Sequence, residues 1–429
     1  MSSLGAPKRR VDDVVLACAV VGVLLAPLPL PAQAVAALTF VAMMRRPQPA
    51  VLAGVLVVPM SAGKLTTLGL LILIIVGSAV VAWAGREARR PSRMVWVLLA
   101  LGVWITVSFG ALERDVAFNA PTVTDLAQPL AGITVAIVAA CFPPTLRDAA
   151  RISIIAVLVV GITALISPVD IYGTVEILGL NPNYVAALVT LLMAGCLIRA
   201  SRWELLATCA VWPIGLLALV KTESRAGLLA LAVVVAARIL LSEKGRTFDL
   251  WRVVSAVIVA GALTIFVPQV FGLVQRSYFG SRDFSGIVSD NVQREVAAGA
   301  SIEVAMQNPI LGVGYANFAA VAAGLPGLHQ YVNTHDEYTR LASELGIGGL
   351  LMFLLPVVRA LARMRGTLGA TLLPALLCFL ASIAFGNELE SIVTSYLFWM
   401  ILGVALAGAN TQRKRSIAKR RLTLASSIS

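Results

Sequence analysis

The feature that most constrains this chain is a series of uncharged apolar runs, each about as long as a membrane-spanning helix. Residues 65–84 and 94–112 form two of these runs. A helix needs about 20 apolar residues to cross the hydrocarbon core of a bilayer. With 59% hydrophobic and only 13% charged residues, the runs predict an all-α, polytopic transmembrane bundle. The composition excludes an ordinary soluble domain, in which about a quarter of the residues are charged.

The predicted spans number 12 to 14, because the second and third of fourteen apolar segments are short enough to form one broken or re-entrant pair. The segments are 14–30, 33–44, 50–60, 65–84, 95–112, 126–142, 151–167, 182–199, 204–220, 225–241, 252–272, 346–362, 369–386 and 391–408.

The distribution of basic residues predicts the orientation of these spans. When alternate loops are assigned to opposite sides, 26 of the 34 Lys and Arg residues lie on one side and eight on the other. Because basic residues favour the cytoplasmic side, we expect both termini to be cytoplasmic and the protein to lie in the cytoplasmic (inner) membrane. This topology also accounts for the net charge of +12 without a nucleic-acid partner.

One long hydrophilic segment interrupts the spans and divides the chain. Residues 275–345 form a predicted extracytoplasmic catalytic loop between the spans of 1–274 and the last three spans in 346–410, and a basic cytoplasmic tail follows at 411–429. Both histidines, His329 and His335, lie in this loop. Long loops inside compact proteins are often functional.

The loop contains two predicted helices. The first covers Asn291–Gln307, with Val292, Val296, Ala300 and Val304 on one face, and Asn308-Pro309 would end it. The second would start with Thr334 and Glu337 in the spacing of a capping box, which would place His335 in its first turn.

His335 is the candidate general base. The positive end of a helix dipole disfavours an imidazolium, and a neutral imidazole near pH 7 can accept a proton. The alternative is a surface or capping histidine without a chemical role. His329, in a stretch with Gly327 and Leu328, is interpreted as incidental.

Arginines on the predicted outer side are candidate pyrophosphate ligands, since a guanidinium stays charged and binds phosphate oxygens in a fork. Arg225 opens a span, Arg276 follows one, and Arg294 lies in the first loop helix. Snorkelling at the membrane surface is the alternative for Arg225 and Arg276, and simple solvation is the alternative for Arg294. No Asp-x-Asp pair or His/Cys cluster occurs in the predicted outer loops, which argues against a metal.

At these residues the chain resembles the O-antigen ligase/polymerase superfamily of membrane glycosyltransferases. Four segments carry the resemblance, over about residues 180–360: Asn181-Pro182-Asn183-Tyr184; Thr222 to Gly227; Arg294 followed by the Asn308 to Gly314 turn; and His335-Asp336, nine residues, then Gly346-Ile347-Gly348-Gly349. Two features depart from the family pattern: Asp336 replaces the usual amide, and no tryptophan closely follows Arg294.

The resemblance implies a GT-C-like membrane enzyme of polysaccharide biosynthesis in the cell envelope. It would transfer a glycan from undecaprenyl pyrophosphate to an acceptor hydroxyl, with inversion and without a metal or other cofactor. His335 would be the base, and Arg225 and Arg294 would bind the pyrophosphate, with Arg276 added from its position. The candidate supporting residues are Asp336, Asn183, Tyr338 and Ser224.

Three alternatives stay open at this stage. The enzyme could polymerise repeat units rather than ligate a glycan to a lipid or wall acceptor, or it could glycosylate protein. A transporter of lipid-linked sugars is the third, although a transporter would more often carry ionisable residues at mid-membrane depth. In every case the partners are a lipid-linked glycan, its acceptor and membrane lipid.

Overall fold

The computed structural model of the protein describes residues 93–110, 122–141, 143, 146–167, 181–197, 202–222, 224–240, 284–322, 334, 336–363, 366–384, 386, 389–391 and 394–407. Within these ranges the regular structure is entirely helical. The helices are α1 Met94–Gly110, α2 Val123–Cys141, α3 Leu146–Ile166, α4 Pro182–Cys196, α5 Arg202–Thr222, α6 Arg225–Leu240, α7 Phe284–Gln307, α8 Phe318–Ala322, α9 Glu337–Arg363, α10 Gly366–Ser382 and α11 Thr394–Ala407.

Nine predicted spans coincide with nine described helices, namely α1 to α6 and α9 to α11. Three described segments, Ala149–Ile166, Trp203–Thr222 and Glu337–Ala362, are long and apolar enough to cross a membrane, and six more apolar helices are shorter. The predicted spans 14–30, 33–44, 50–60, 65–84 and 252–272 lie outside the described residues, so the count of 12 to 14 stays a prediction.

Small residues let the helices of the bundle approach closely, as in other membrane bundles. A Cβ on Gly227 of α6 would lie 2.5 Å from the Cβ of Ala186 on α4. A Cβ on Gly403 of α11 would lie 2.2 Å from the carbonyl oxygen of Ala136 on α2. Large apolar side chains point outward elsewhere, and on α9 they form one stripe at helical spacing: Ile347, Leu351, Leu355 and Val358.

Side-chain hydrogen bonds bring one set of helix ends together. Gln128 near the start of α2 donates to the carbonyls of Leu389 and Glu390, just before α11. Lys221 at the end of α5 donates to the carbonyls of Leu165 and Ser167 at the end of α3. We call this end of the bundle, which also carries residues 308–322 and the start of α9, the loop end. The start of α2 thus lies beside the turn before α11, and the end of α5 lies beside the end of α3.

The first loop helix is longer than predicted. It begins at Phe284 rather than Asn291, and it ends at Gln307, before Asn308-Pro309, as predicted. The predicted apolar face is correct in part: Val304 is buried and Ala300 packs against its cluster, but Val296 is 44% exposed. Ala297 and Ser301 are buried as well, and α7 packs along α9.

Candidate active site

The Asn308 to Gly314 turn and the start of α9 are bound together by backbone hydrogen bonds. The N–H groups of Val313 and Gly314 donate to the carbonyls of Ser343 and Glu344, at 2.8 and 2.9 Å. In return, the N–H of Ile347 donates to the carbonyl of Pro309, at 2.8 Å. Two of the segments that carry the family resemblance thus form a single structural unit.

The start of α9 differs from the predicted capping box. The carboxylate of Asp336 accepts a hydrogen bond from the N–H of Tyr338, at 3.0 Å, which makes Asp336 the N-cap and Glu337 the first helical residue. The side chain of Glu337 pairs with Arg340 instead of returning to Thr334. The helix therefore begins after His335 rather than before it, and the prediction that His335 lies in the first turn is wrong.

His335 itself lies outside the described residues, but the residues on both sides of it are fixed. The Thr334 hydroxyl, in a residue only 1% exposed, donates to the carbonyl of Asp336 at 3.0 Å. The N–H of Glu337 donates to the carbonyl of Ile383, beyond the end of α10, at 2.9 Å. The Tyr338 hydroxyl donates to the carbonyl of Leu380 at 2.9 Å. The start of α9, directly after His335 in the sequence, is thus anchored to the end of α10.

A buried ionic cluster lies immediately beyond this segment. Arg340, 4% exposed, donates from Nε to Oε1 of Glu337 at 3.0 Å and from Nη1 to Oε1 of Glu390 at 2.8 Å, and Nη2 also donates to Glu337. Its guanidinium lies 5.8 Å from the centre of the Tyr315 ring. A third carboxyl group, that of Glu344 in the same helix as Arg340, is also buried.

The turn beyond Gly314 is folded around Glu344 and Tyr315. Ala316 has a positive φ of 63°, and the N–H of Phe318 donates to Oε1 of Glu344 at 3.4 Å. Burial raises the pKa of the Tyr315 phenol, although the charge of Arg340 opposes this shift. Tyr315 therefore carries a neutral hydroxyl at physiological pH.

The Asn-Pro-Asn-Tyr segment has a structural explanation for its first two residues. The Asn181 side chain caps α4 by accepting from the N–H of Asn183 at 2.9 Å, and Pro182 occupies the first helical position. Asn183 is half-buried in the first turn. The hydroxyl of Tyr184 then donates to Oε2 of Glu390 at 3.4 Å, so this segment joins the Arg340 cluster.

The Ser-Arg segment begins α6. Ser224, 2% exposed, accepts from the N–H of Gly227 through its hydroxyl at 3.2 Å, and Arg225 is the first helical residue. The close contact of Gly227 with Ala186 holds the start of α6 against α4. The backbone of Arg225 is thus fixed at the loop end, while its side chain lies outside the described residues.

The structure describes one of the other two candidate pyrophosphate ligands. Arg294 is half-buried on α7, one turn before Ala297. Its spacing from Ala297 places it on the same side of α7 as that buried residue, and its binding role stays a prediction. Arg276 lies outside the described residues.

Residues 208–354, about a third of the chain, match the family model described as O-antigen ligase. This region is similar to the O-antigen ligase family, and the match supports the O-antigen ligase/polymerase superfamily that the four sequence segments resemble. No curated protein matches the chain significantly.

The O-antigen ligase family is one of membrane glycosyltransferases, and in general terms it implies a lipid-linked glycan and an acceptor as partners. The matched region begins in α5 and ends in α9. It contains Arg225, Arg294, His335 and Arg340, and α4 and Glu390 lie outside it.

The sequence analysis did not identify the ionic cluster of Arg340, Glu337 and Glu390 at the loop end. Arg340 was only one of eight basic residues on the predicted outer side, and Glu390 had no assigned role. One signal was present: acidic residues inside apolar helices are rare and normally paired. Lys221, also among the eight, is bound to the end of α3, which explains it structurally.

Proposed function

We propose that the protein is an inverting, metal-independent glycosyltransferase. It moves a glycan from a polyprenyl-pyrophosphate donor, in bacteria undecaprenyl pyrophosphate, to an acceptor hydroxyl on the outer face of the cytoplasmic membrane. The observation that carries this proposal is the O-antigen ligase match over 208–354. That region holds Arg225, Arg294 and His335 in the order that the family resemblance implies.

The proposed reaction is a single displacement. His335 takes the proton of the acceptor hydroxyl as the oxygen attacks the anomeric carbon, and general-base assistance of this kind contributes about 10²–10⁴-fold. The bond from the anomeric carbon to the pyrophosphate oxygen breaks, and its electron pair leaves with the polyprenyl pyrophosphate. Attack from the face opposite the leaving group inverts the anomeric configuration.

Arginines stabilise the leaving group in this scheme. Negative charge on the pyrophosphate grows as the glycosidic bond breaks, so fixed guanidinium groups stabilise the transition state more than the ground state. Arg225 and Arg294 are the proposed ligands, and Arg276 is a third by position. Two observations support the first two, since Arg225 begins α6 where Gly227 packs against α4, and Arg294 lies on α7, which packs along α9.

The first prediction concerns the base. His335→Ala should reduce transfer of glycan to the acceptor by at least 10²-fold, because alanine cannot accept the proton of the hydroxyl. The measurement is transfer by the purified full-length protein in detergent or lipid discs, with the lipid-linked glycan extracted from the deletion strain as donor. His329→Ala is the matched control, because it removes the other histidine of the same loop and should leave the rate unchanged. Full activity of the His335→Ala protein contradicts the assignment.

The same assay tests the role of Arg225. Arg225→Ala should abolish transfer, because it removes a proposed ligand of the leaving pyrophosphate.

The assay also tests the metal-free mechanism. EDTA should leave the rate of transfer unchanged. A loss of activity in EDTA that a divalent ion restores would contradict the metal-free mechanism.

Deletion of the gene distinguishes the kinds of acceptor. Long, unligated lipid-linked chains should accumulate if the enzyme is a ligase, and single repeat units if it is a polymerase. Loss of glycan from protein alone would indicate a protein O-oligosaccharyltransferase.

A further inference from the structure

We infer that Arg340, acting with Glu337 and Glu390, is a positioning residue that sets the location of the His335 segment relative to the start of α4. This inference rests on the proposed function. It concerns residues to which neither the family resemblance nor the family match gives a role.

The first step in the argument is that Arg340 joins segments that are distant in sequence. Its guanidinium binds Glu337 in its own helix and Glu390, 50 residues further along the chain. Its face lies over Tyr315, in the turn after Gly314. A single side chain therefore fixes the start of α9 against two other parts of the loop end.

The second step is that Glu390 extends the connection to α4 and α2. Its Oε2 atom accepts from the Tyr184 hydroxyl at 3.4 Å, and its backbone carbonyl accepts from Gln128 at 2.7 Å. Tyr184 directly follows Asn183, a candidate supporting residue. The cluster is thus the place where the start of α4, the turn before α11 and the start of α9 meet.

The third step is the chemical nature of the cluster. Replacing a buried ion pair by apolar residues is often neutral or stabilising, so such a pair is weak evidence for a role in stability. A rigid guanidinium fork, in contrast, defines direction as well as distance. Arg340 lies in the first turn of α9, after the N-cap beside His335. An ionic cluster at this place is therefore better suited to fixing the position of the backbone than to stabilising the protein.

The connection to His335 is short. Asp336 caps α9 through its carboxylate, and Glu337 is bound both through its backbone to Ile383 and through its side chain to Arg340. A shift of Glu337 would move the adjacent Asp336 and the residue before it. A displacement of about 1 Å in catalytic geometry can cost 10²-fold in rate.

The test is the pair Arg340→Lys and Glu390→Gln, with Arg359→Lys as the control. Lysine keeps the charge of Arg340 but cannot bind two carboxylates in a fork, and glutamine keeps the shape of Glu390 without its charge. Arg359 lies on the same helix and is exposed near its other end. We expect kcat for glycan transfer to fall about tenfold in each test variant, with KM within twofold of the wild type, and no change in Arg359→Lys.

The double variant separates positioning from general damage. If both residues act through one contact, Arg340→Lys combined with Glu390→Gln should lower kcat no further than either change alone. A threefold or smaller fall in kcat for the folded single variants, or losses that multiply in the double variant, would overturn the inference. Should Arg340→Lys fail to fold, kcat of Glu390→Gln decides by the same threefold limit.

His335→Ala, measured in parallel, separates the two levels of the argument. If it is inactive while Arg340→Lys and Glu390→Gln are fully active, only the positioning role fails. If it is fully active, the assignment of the base fails and the positioning role fails with it.

Discussion

Two glycines show how individual residues bind the loop to the helix bundle. Gly346 interrupts α9 with φ 69° and ψ −179°, a combination that essentially only glycine adopts. A Cβ at this position would lie 2.2 Å from the carbonyl oxygen of Ile310. Gly312, with φ 68°, faces the backbone of Glu344 in the same way, and a Cβ there would lie 2.3 Å from its carbonyl carbon. Each glycine thus makes room for the other segment's backbone.

Gly346→Ala should therefore destabilise the protein by about 2–4 kcal/mol, from strain in φ and ψ and from displacement of the 308–314 turn. The measurement is the midpoint of thermal unfolding in detergent, which should fall by several degrees. Gly299→Ala in α7 is the matched control, since a Cβ at Gly299 would meet no atom within 4 Å and alanine favours a helix over glycine by about 1 kcal/mol. An equal fall in both variants would contradict this explanation of the kink.

Individual residues also show which local features the sequence predicts and which it does not. The spacing of Thr334 and Glu337 indicated a capping box, but Glu337 is used by Arg340 and the cap is provided by Asp336. The pairing of Arg340 with Glu390 could not be predicted, because a local pattern does not show which distant segment a side chain will meet. Conversely, the stop at Asn308-Pro309 was predictable, since proline disfavours helical geometry in the residue before it.

At the scale of elements, the kink in α9 releases carbonyls that other elements must satisfy. A helix that ends leaves its last carbonyls without intrahelical donors. Here the carbonyl of Glu344 accepts from Gly314 and from the Ser108 hydroxyl, and that of Leu345 accepts from Nε1 of Trp104 at 2.9 Å. The 308–314 turn and α1 thus complete the broken helix from two sides.

Trp104→Phe should cost about 1–3 kcal/mol, because it leaves the carbonyl of Leu345 without this donor while keeping an aromatic ring against Gly349. The thermal unfolding midpoint in detergent measures the effect. Trp96→Phe provides the comparison on the same helix, as Trp96 is 70% exposed and should be replaceable without loss. If the two variants unfold at the same temperature, the hydrogen bond does not contribute as argued.

For the whole molecule, hydropathy predicted more of the fold than of the site. Nine described helices coincide with predicted spans because an apolar run of sufficient length has few alternatives to a helix in a membrane. The helix α9 shows a difference between prediction and structure. The predicted span begins at Gly346, where the structure has the kink, but the helix itself starts at Glu337. The part of α9 before Gly346 carries Glu337, Arg340 and Glu344. Because these residues are charged, hydropathy assigns this part to the loop rather than to the span.

The final prediction concerns the side of the membrane on which the loop end lies. In a variant without the five native cysteines, Gln307→Cys should react with a membrane-impermeant maleimide on intact cells, because Gln307 is exposed at the loop end. Ala362→Cys, exposed at the far end of α9, should react only after the membrane is permeabilised. Beyond the kink at Gly346, residues 347–362 rise roughly 24 Å at 1.5 Å per residue, close to the thickness of the hydrocarbon core of a bilayer. The 26-to-8 division of basic residues requires this result, whereas the reverse pattern would place His335 in the cytoplasm and contradict glycan transfer on the outer face.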